Sequence, residues 1–194
     1  MASIEKGAYH IANNQIEYNP QLKNNFTLVV LGLENLARVG SNPDDLQEGD
    51  IITNPQEEII LSLKSCDTPK VTQEPVNISR GNSVIKFAGK PTFDDINMVV
   101  YDYMGSNAKD TLLAWQNLSY NTRYDYIGSK GVYKKNCVLY EYTPDGTEVR
   151  HWNIRGAWLK SVTPDGFDYE AGDAVTISAT MSIDWAELSL PDGE

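Results

Sequence analysis

The residues of this 194-residue chain best suited to chemistry are two histidines, two cysteines and three adjacent carboxylate pairs. A structural or catalytic zinc needs three or four protein ligands. His10, His151, Cys66 and Cys137 are far apart in sequence and show no CxxC or Cys/His spacing, so no metal site is expected. His151 next to Trp152 could serve a Ser-His-Asp triad, but no GxSxG elbow accompanies it. The carboxylate pairs are Asp44-Asp45, Glu57-Glu58 and Asp94-Asp95. Glycosidases set two carboxylates across a cleft, whereas adjacent residues of a strand point to opposite faces. The loop holding Asp44 and Asp50 lacks calcium-loop spacing, and neither a Walker loop nor GxGxxG is present. The reading is of a chain that is not an enzyme, with no catalytic residue and no cofactor.

Composition narrows the classes further. Hydrophobic residues make up 41% and charged residues 22%, enough apolar matter for a packed core. The net charge of −11 argues against gripping nucleic-acid phosphates, which takes clustered Lys and Arg, and against anionic membranes. The basic run Lys130, Lys134, Lys135 with Arg123 reads as a solvated patch or one that meets an acidic neighbour. The N-terminus has no apolar h-region, and no run approaches about 20 apolar residues. A soluble protein without a membrane partner, made in a cytoplasm, is expected.

The elements that would position these residues are mostly strands. Residues 26–33 form a continuous apolar run that suits a buried strand. Residues 57–66 alternate, with Ile59, Leu61 and Leu63 on one face, and read as a strand. Residues 71–88 read as a two-stranded hairpin around Gly81-Asn82, polar on both faces. Residues 93–103 make a strand apolar on both faces, hence covered on both. Over 107–119, Ala108, Leu112, Trp115 and Leu118 fall on one arc, which predicts an amphipathic helix capped by Asn107. Residues 132–142 and 148–159 read as strands joined by a Pro-Asp-Gly turn. The cleanest signal is 174–185, where Val175, Ile177, Ala179, Met181, Ile183 and Trp185 alternate with small polar residues. The expected fold is mainly β, an antiparallel β-sandwich or barrel with one flanking α-helix. The expected organisation is a loose N-terminal arm at 1–25, one β domain at 26–187 with an acidic insertion at 34–56, and a tail at 188–194.

From about residue 57 to 187 the order of features resembles the tail tube proteins of contractile-tailed bacteriophages, and the wider fold that includes type-six secretion tubes. Gly89-Lys90-Pro91-Thr92-Phe93-Asp94-Asp95 leads into a strand, and Leu113-Ala114-Trp115-Gln116 ends a short helix. Gly131-Val132-Tyr133-Lys134-Lys135 opens the next strand. Ile154-Arg155-Gly156-Ala157-Trp158 precedes a Pro-containing turn, and a long alternating strand ends at Asp184-Trp185.

The resemblance implies a subunit that closes with its copies into a larger barrel in a hexameric ring. Stacked rings would form the conduit for DNA ejection, in a virion tail assembled in the host cytoplasm. It implies tail sheath, baseplate and tail terminator proteins as partners, with DNA passing without specific binding. Two face assignments follow from the residues beside it. The hairpin, through Glu74, Val76, Ile78, Arg80, Val84 and Phe87, is expected at ring-to-ring contacts, because it adds little to a core. The face of Thr176, Ser178, Thr180 and Ser182 is expected toward the lumen or solvent. The alternatives are a tube of a bacterial contractile injection or secretion particle, and a glycan- or partner-binding β-sandwich using the four Trp and eleven Tyr.

Overall fold

The computed structural model describes residues 21–34, 36–41, 46–170 and 172–191. Most of the expected arm at 1–25, residues 42–45 of the acidic insertion and residues 192–194 of the tail lie outside the described residues.

The chain runs through β1 (Phe26–Leu31), a 3-10 turn (Glu48–Asp50), α1 (Pro55–Ser62) and β2 (Leu63–Cys66). Four short or exposed strands follow: β3 (Val71–Gln73), β4 (Val76–Arg80), β5 (Ser83–Phe87) and β6 (Pro91–Phe93). Then come β7 (Ile96–Tyr101), α2 (Ala108–Ser119), β8 (Tyr120–Asn121), β9 (Tyr126–Ile127) and one helical turn, α3 (Lys130–Tyr133). The chain closes with β10 (Lys135–Tyr142), β11 (Glu148–Pro164), β12 (Thr176–Ser182) and β13 (Trp185–Ser189).

The body is antiparallel throughout, in the order β1-β10-β11-β12-β7-β2, with β13 also on β11. The 17-residue β11 is the hinge of this order. Its first half pairs with β10 on one edge and β13 on the other; from Trp158 onward its ladder partner is β12. One strand thus passes from one layer to the other. The core between the layers holds Leu28 and Leu139 from one side and Met98, Ile177 and Met181 from the other. Each such fully buried side chain contributes about 1.5–3 kcal/mol.

Where β11 changes layer its alternation breaks. Ile154, Ala157 and Leu159 are all buried, an odd step across Gly156, whose φ is +68°. The partner strand breaks at the same level: Met181 and Ile183 are buried, and then Ala186 rather than Trp185. The expected twelve-residue strand over 174–185 is therefore a seven-residue β12, an interruption and β13. Trp185, expected on the core face, is 38% exposed and lies under the Arg155 guanidinium at 5.2 Å. The kink is local, so a period-2 reading carried through it inverts every residue beyond.

Two helices flank the sheet rather than one. Residues 57–66, read as a strand, are α1 followed by β2. Pro55 occupies the first helical turn, where its missing N–H is no loss, and Glu57 and Glu58 complement the helix N-terminus. Ile59 and Ser62 are buried at i, i+3, while Leu61 is 69% exposed. α2 buries Ala108, Leu112 and Trp115 as expected, and packs on β11, α1 and α3. The Trp115 indole donates to the Tyr133 carbonyl at 2.9 Å, which anchors α3. The expected strand 132–142 begins only at Lys135, because this turn of α3 precedes it.

Asn107 sits at the cap position of α2 but makes no side-chain cap bond. Ser106 Oγ accepts the Ala108 N–H instead, at 3.1 Å. Asn107 is used sideways: it accepts from Arg38 at 2.6 Å and donates to Glu58 at 3.3 Å. Arg38 also reaches Asp110 at 2.9 Å, and Leu36 and Ile52 are buried in the core. These contacts tie the ends of the 34–56 segment to α1 and α2.

Candidate functional site

The residues with catalytic potential remain scattered. His151 Nδ1 lies 2.6 Å from Glu148, and its ring packs on Tyr140 at 5.6 Å. This is a packing contact on the outer side of β11 and β10; Ser189, the residue opposite His151 on β13, accepts instead from Asn153 at 3.1 Å. Burial pushes the Cys66 thiol up to about 12, with Asp67 adding to the effect. Cys137 is fully buried, its thiol raised further by burial, and its sulfur lies 4.0 Å from that of Met181. Neither thiol is poised as a nucleophile, since reactivity needs the thiolate. Among the described residues no group of three or more His, Cys, Asp or Glu could hold a metal. In the basic run, Lys134 pairs with Asp184 at 2.6 Å, and Arg123 lies over the Tyr124 ring at 5.6 Å.

Two surfaces stand out instead. The first is an arm. β2/β7, β3/β6 and β4/β5 are three successive ladders of one ribbon that leaves the body where β7 begins. Asp67 N–H donates to Asn97 O, and Asp94 N–H to Lys70 O, carrying the pairing across the gap. From Val71 to Arg80, at about 3.3 Å per residue, the arm reaches about 30 Å. Every residue of β3, β4 and β5 is exposed.

The arm is not polar on both faces. The two-residue turn at Gly81-Asn82 pairs Val76 with Phe87 and Ile78 with Ile85. These four side chains share one face, each about half exposed (46–53%). Arg80 lies on the same face at the tip. Val84, grouped with them in sequence, points to the other side with Asn77, Ser79 and Lys86, while Glu74 lies in the exposed link between β3 and β4. Ile85 is the residue the sequence reading missed. The register of a two-residue hairpin would have found it, since it places 85 opposite 78.

The second surface is the outer face of the four strands β2, β7, β12 and the second half of β11. Ser178 is exposed, and Thr176, Thr180 and Ser182 are half-buried. They stand opposite Tyr101, Val99 and Asn97 of β7, and Thr180 Oγ1 donates to Asn97 at 3.1 Å. The charges on this face neutralise one another. Lys160 contacts Asp95 at 2.9 Å, and with help from Ser182 holds its carboxyl below the ordinary value. Lys64 lies over the Tyr101 ring at 5.1 Å. The result is a small, polar and nearly neutral wall.

The family model of the T4-like virus tail tube protein gp19 matches residues 51–186, well over half of the chain. The chain belongs to this family. As a tail tube family member it is a structural tube subunit and a component of a tail particle. No curated protein is matched by sequence. Among solved structures, the chain is similar to one from the sheath-tube complex of the PVC extracellular contractile injection system in its extended state. The TM-score is 0.61 at 18% identity, covering 95% of this chain and 98% of that one. It is also similar to one from the anti-feeding prophage tube-terminating cap, with TM-score 0.61, 15% identity and coverage of 92% and 97%. A third is from the six-fold symmetrised anti-feeding prophage baseplate, with TM-score 0.59, 11% identity and coverage of 88% and 95%. These likenesses show a shared fold.

Proposed function

We propose that this tail tube protein forms hexameric rings that stack into the conduit through which a phage ejects its DNA. The observation that carries the reading is the four-stranded wall of β2, β7, β12 and the second half of β11. Among the described residues, its two outer strands each have a ladder partner on one edge only, β7 for β2 and β12 for β11 beyond Trp158. Unpaired edges invite pairing with another chain. Edge-to-edge closure of six copies would consume all of them and turn the polar, nearly neutral faces of Thr176, Ser178, Thr180 and Ser182 toward one lumen. A wall of that chemistry gives phosphate neither a cationic grip nor a strong barrier. The likeness to one chain of a six-fold symmetrised particle supports the ring order.

In this reading the arm, through Glu74, Val76, Ile78, Arg80, Val84 and Phe87, makes ring-to-ring contacts. The tail sheath, baseplate and terminator proteins are its partners, assembly takes place in the host cytoplasm, and the chain itself catalyses nothing. A second reading, the tube of an extracellular injection particle, draws support from the likeness to the PVC and anti-feeding prophage chains. Capsid genes beside the coding gene would separate a phage from such a particle.

The test is mass photometry and negative-stain imaging of the purified full chain. Six-fold particles and tubes of uniform bore are expected; a strict monomer at every concentration sinks the proposal.

A further inference from the structure

Among the described residues, the wall of β2, β7, β12 and the second half of β11 has two free edges, and both are irregular in the same way. The inner pair, β7 and β12, runs from Tyr101 opposite Thr176 to Ile96 opposite Met181 without a break. Each outer pair slips once. On β11, Leu159 stands opposite Met181 and Ser161 opposite Thr180, so Lys160 is an extra residue. On β2, Leu63 stands opposite Val100 and Ser65 opposite Val99, so Lys64 is an extra residue. Each slip is a β-bulge, and each bulge holds a lysine. Neither lysine serves the alternation of its strand. Without Lys160, β11 still runs Leu159 inward, Ser161 outward and Val162 inward. Without Lys64, β2 still runs Leu63 inward, Ser65 outward and Cys66 inward, and these inward residues all pack in or on the core. Both lysines are exposed. Each is held over the outer face of its own wall, Lys160 by Asp95 at 2.9 Å and Lys64 by the Tyr101 ring at 5.1 Å.

We propose that Lys64 and Lys160 are gatekeepers of the two edges, restricting edge pairing to β11 of one copy with β2 of the next. The inference rests on the ring reading and deepens it by naming the residues that exclude other pairings. A bulge and a lysine are each means by which an edge strand resists an arriving strand. Here both fall at one residue on each edge. The four strands alternate in direction, so β11 of one copy meets β2 of another antiparallel. With the rows of two copies level, this pairing keeps the lysines apart. Lys160 falls between the rows of Ile96 and Asn97, and Lys64 between those of Val99 and Val100, about 10 Å apart along the strands. The unbulged stretches, 161–163 and 65–66, share the rows of Met98 and Val99. A two-fold pairing centred on β2 sets the two copies' Lys64 near each other instead, and β11 with β11 does the same for Lys160. Like charges across a ladder are destabilising. Such like-with-like pairs are also isologous, so they close as dimers and end ring growth.

The experiment compares the wild-type full chain with K64T/K160T and K64R/K160R, by mass photometry and thioflavin fluorescence at about physiological salt. Threonine keeps the face polar and removes the charge; arginine keeps the charge and can still meet Asp95 and Tyr101. The threonine pair is expected to raise the share of mass outside monomers, six-fold rings and tubes by about tenfold, with thioflavin binding. The arginine pair is expected to match wild type. A third variant, with Lys64 and Lys160 deleted, makes both edges regular without a substitution and is expected to give the same stray mass as the threonine pair. Near-UV circular dichroism checks that each variant is folded. A folded threonine or deletion variant with the wild-type mass distribution overturns the gatekeeping while leaving the ring reading standing. So does an arginine pair that misassembles as the threonine pair does. A wild-type chain that never forms rings overturns both.

Discussion

At the residue scale, Gly156 does more than any side chain near it. Its φ of +68° falls where residues other than glycine are strained. A Cβ there would stand 2.7 Å from the Asp184 Cγ, and Asp184 is held in place by Lys134. Gly156→Ala is therefore expected to destabilise the subunit by about 1–3 kcal/mol, measurable by urea denaturation; wild-type stability would contradict the account. The glycine was visible in the sequence, but its effect was not. A kink of one residue leaves the apolar and polar residues alternating on either side and only shifts their phase. Trp185 was read on the core face for that reason. Asn107 illustrates another limit. Its residue type fits a cap, yet Ser106 takes that role while Arg38 and Glu58, distant in sequence, claim the Asn107 amide.

Among elements, helix α2 was legible because a twelve-residue arc containing Trp115 fits only one period. Helix α1 was not. Over 57–66, Ile59, Leu61 and Leu63 satisfy alternation, while the contacts that bury Ile59 and Ser62 come from elsewhere in the fold. The arm lay between these cases. Its hairpin was evident from Gly81-Asn82, but each strand offers only two apolar residues on the apolar face, too few to stand out until the pairing register joins them. Since no residue of 76–87 is in the core cluster, replacing 76–87 by an Asn-Gly turn is expected to change unfolding free energy by less than about 1 kcal/mol. It should preserve rings and abolish tubes in electron micrographs. Normal tubes after this deletion would remove the arm from assembly.

At the scale of the whole molecule, electrostatics separates conduit from grip. The chain carries a net charge of −11, while its polar wall pairs Lys160 with Asp95 and rests Lys64 on Tyr101. Assembled protein is therefore expected to leave the electrophoretic mobility of duplex DNA unchanged at about 0.15 M salt, where screening acts over about 8 Å. A retarded band would contradict the reading of the wall. Fold class was legible in the sequence, because composition and alternation summed over many residues average out local irregularities. The two-layer path of β11 was not, because it depends on which strands flank each half.

The arm also has a consequence in time. Its pairs, such as Ile78 with Ile85, are local, and hairpins of that kind form in about 1–10 μs. The body must bring Phe26 to Glu141 and His151 to Ser189, which are long loop closures and slow ones. During synthesis the arm therefore emerges well before residues 165–175 exist. The arm can thus be paired before β12, the last strand of the wall, has been made, an order of events set by where the two fall along the chain.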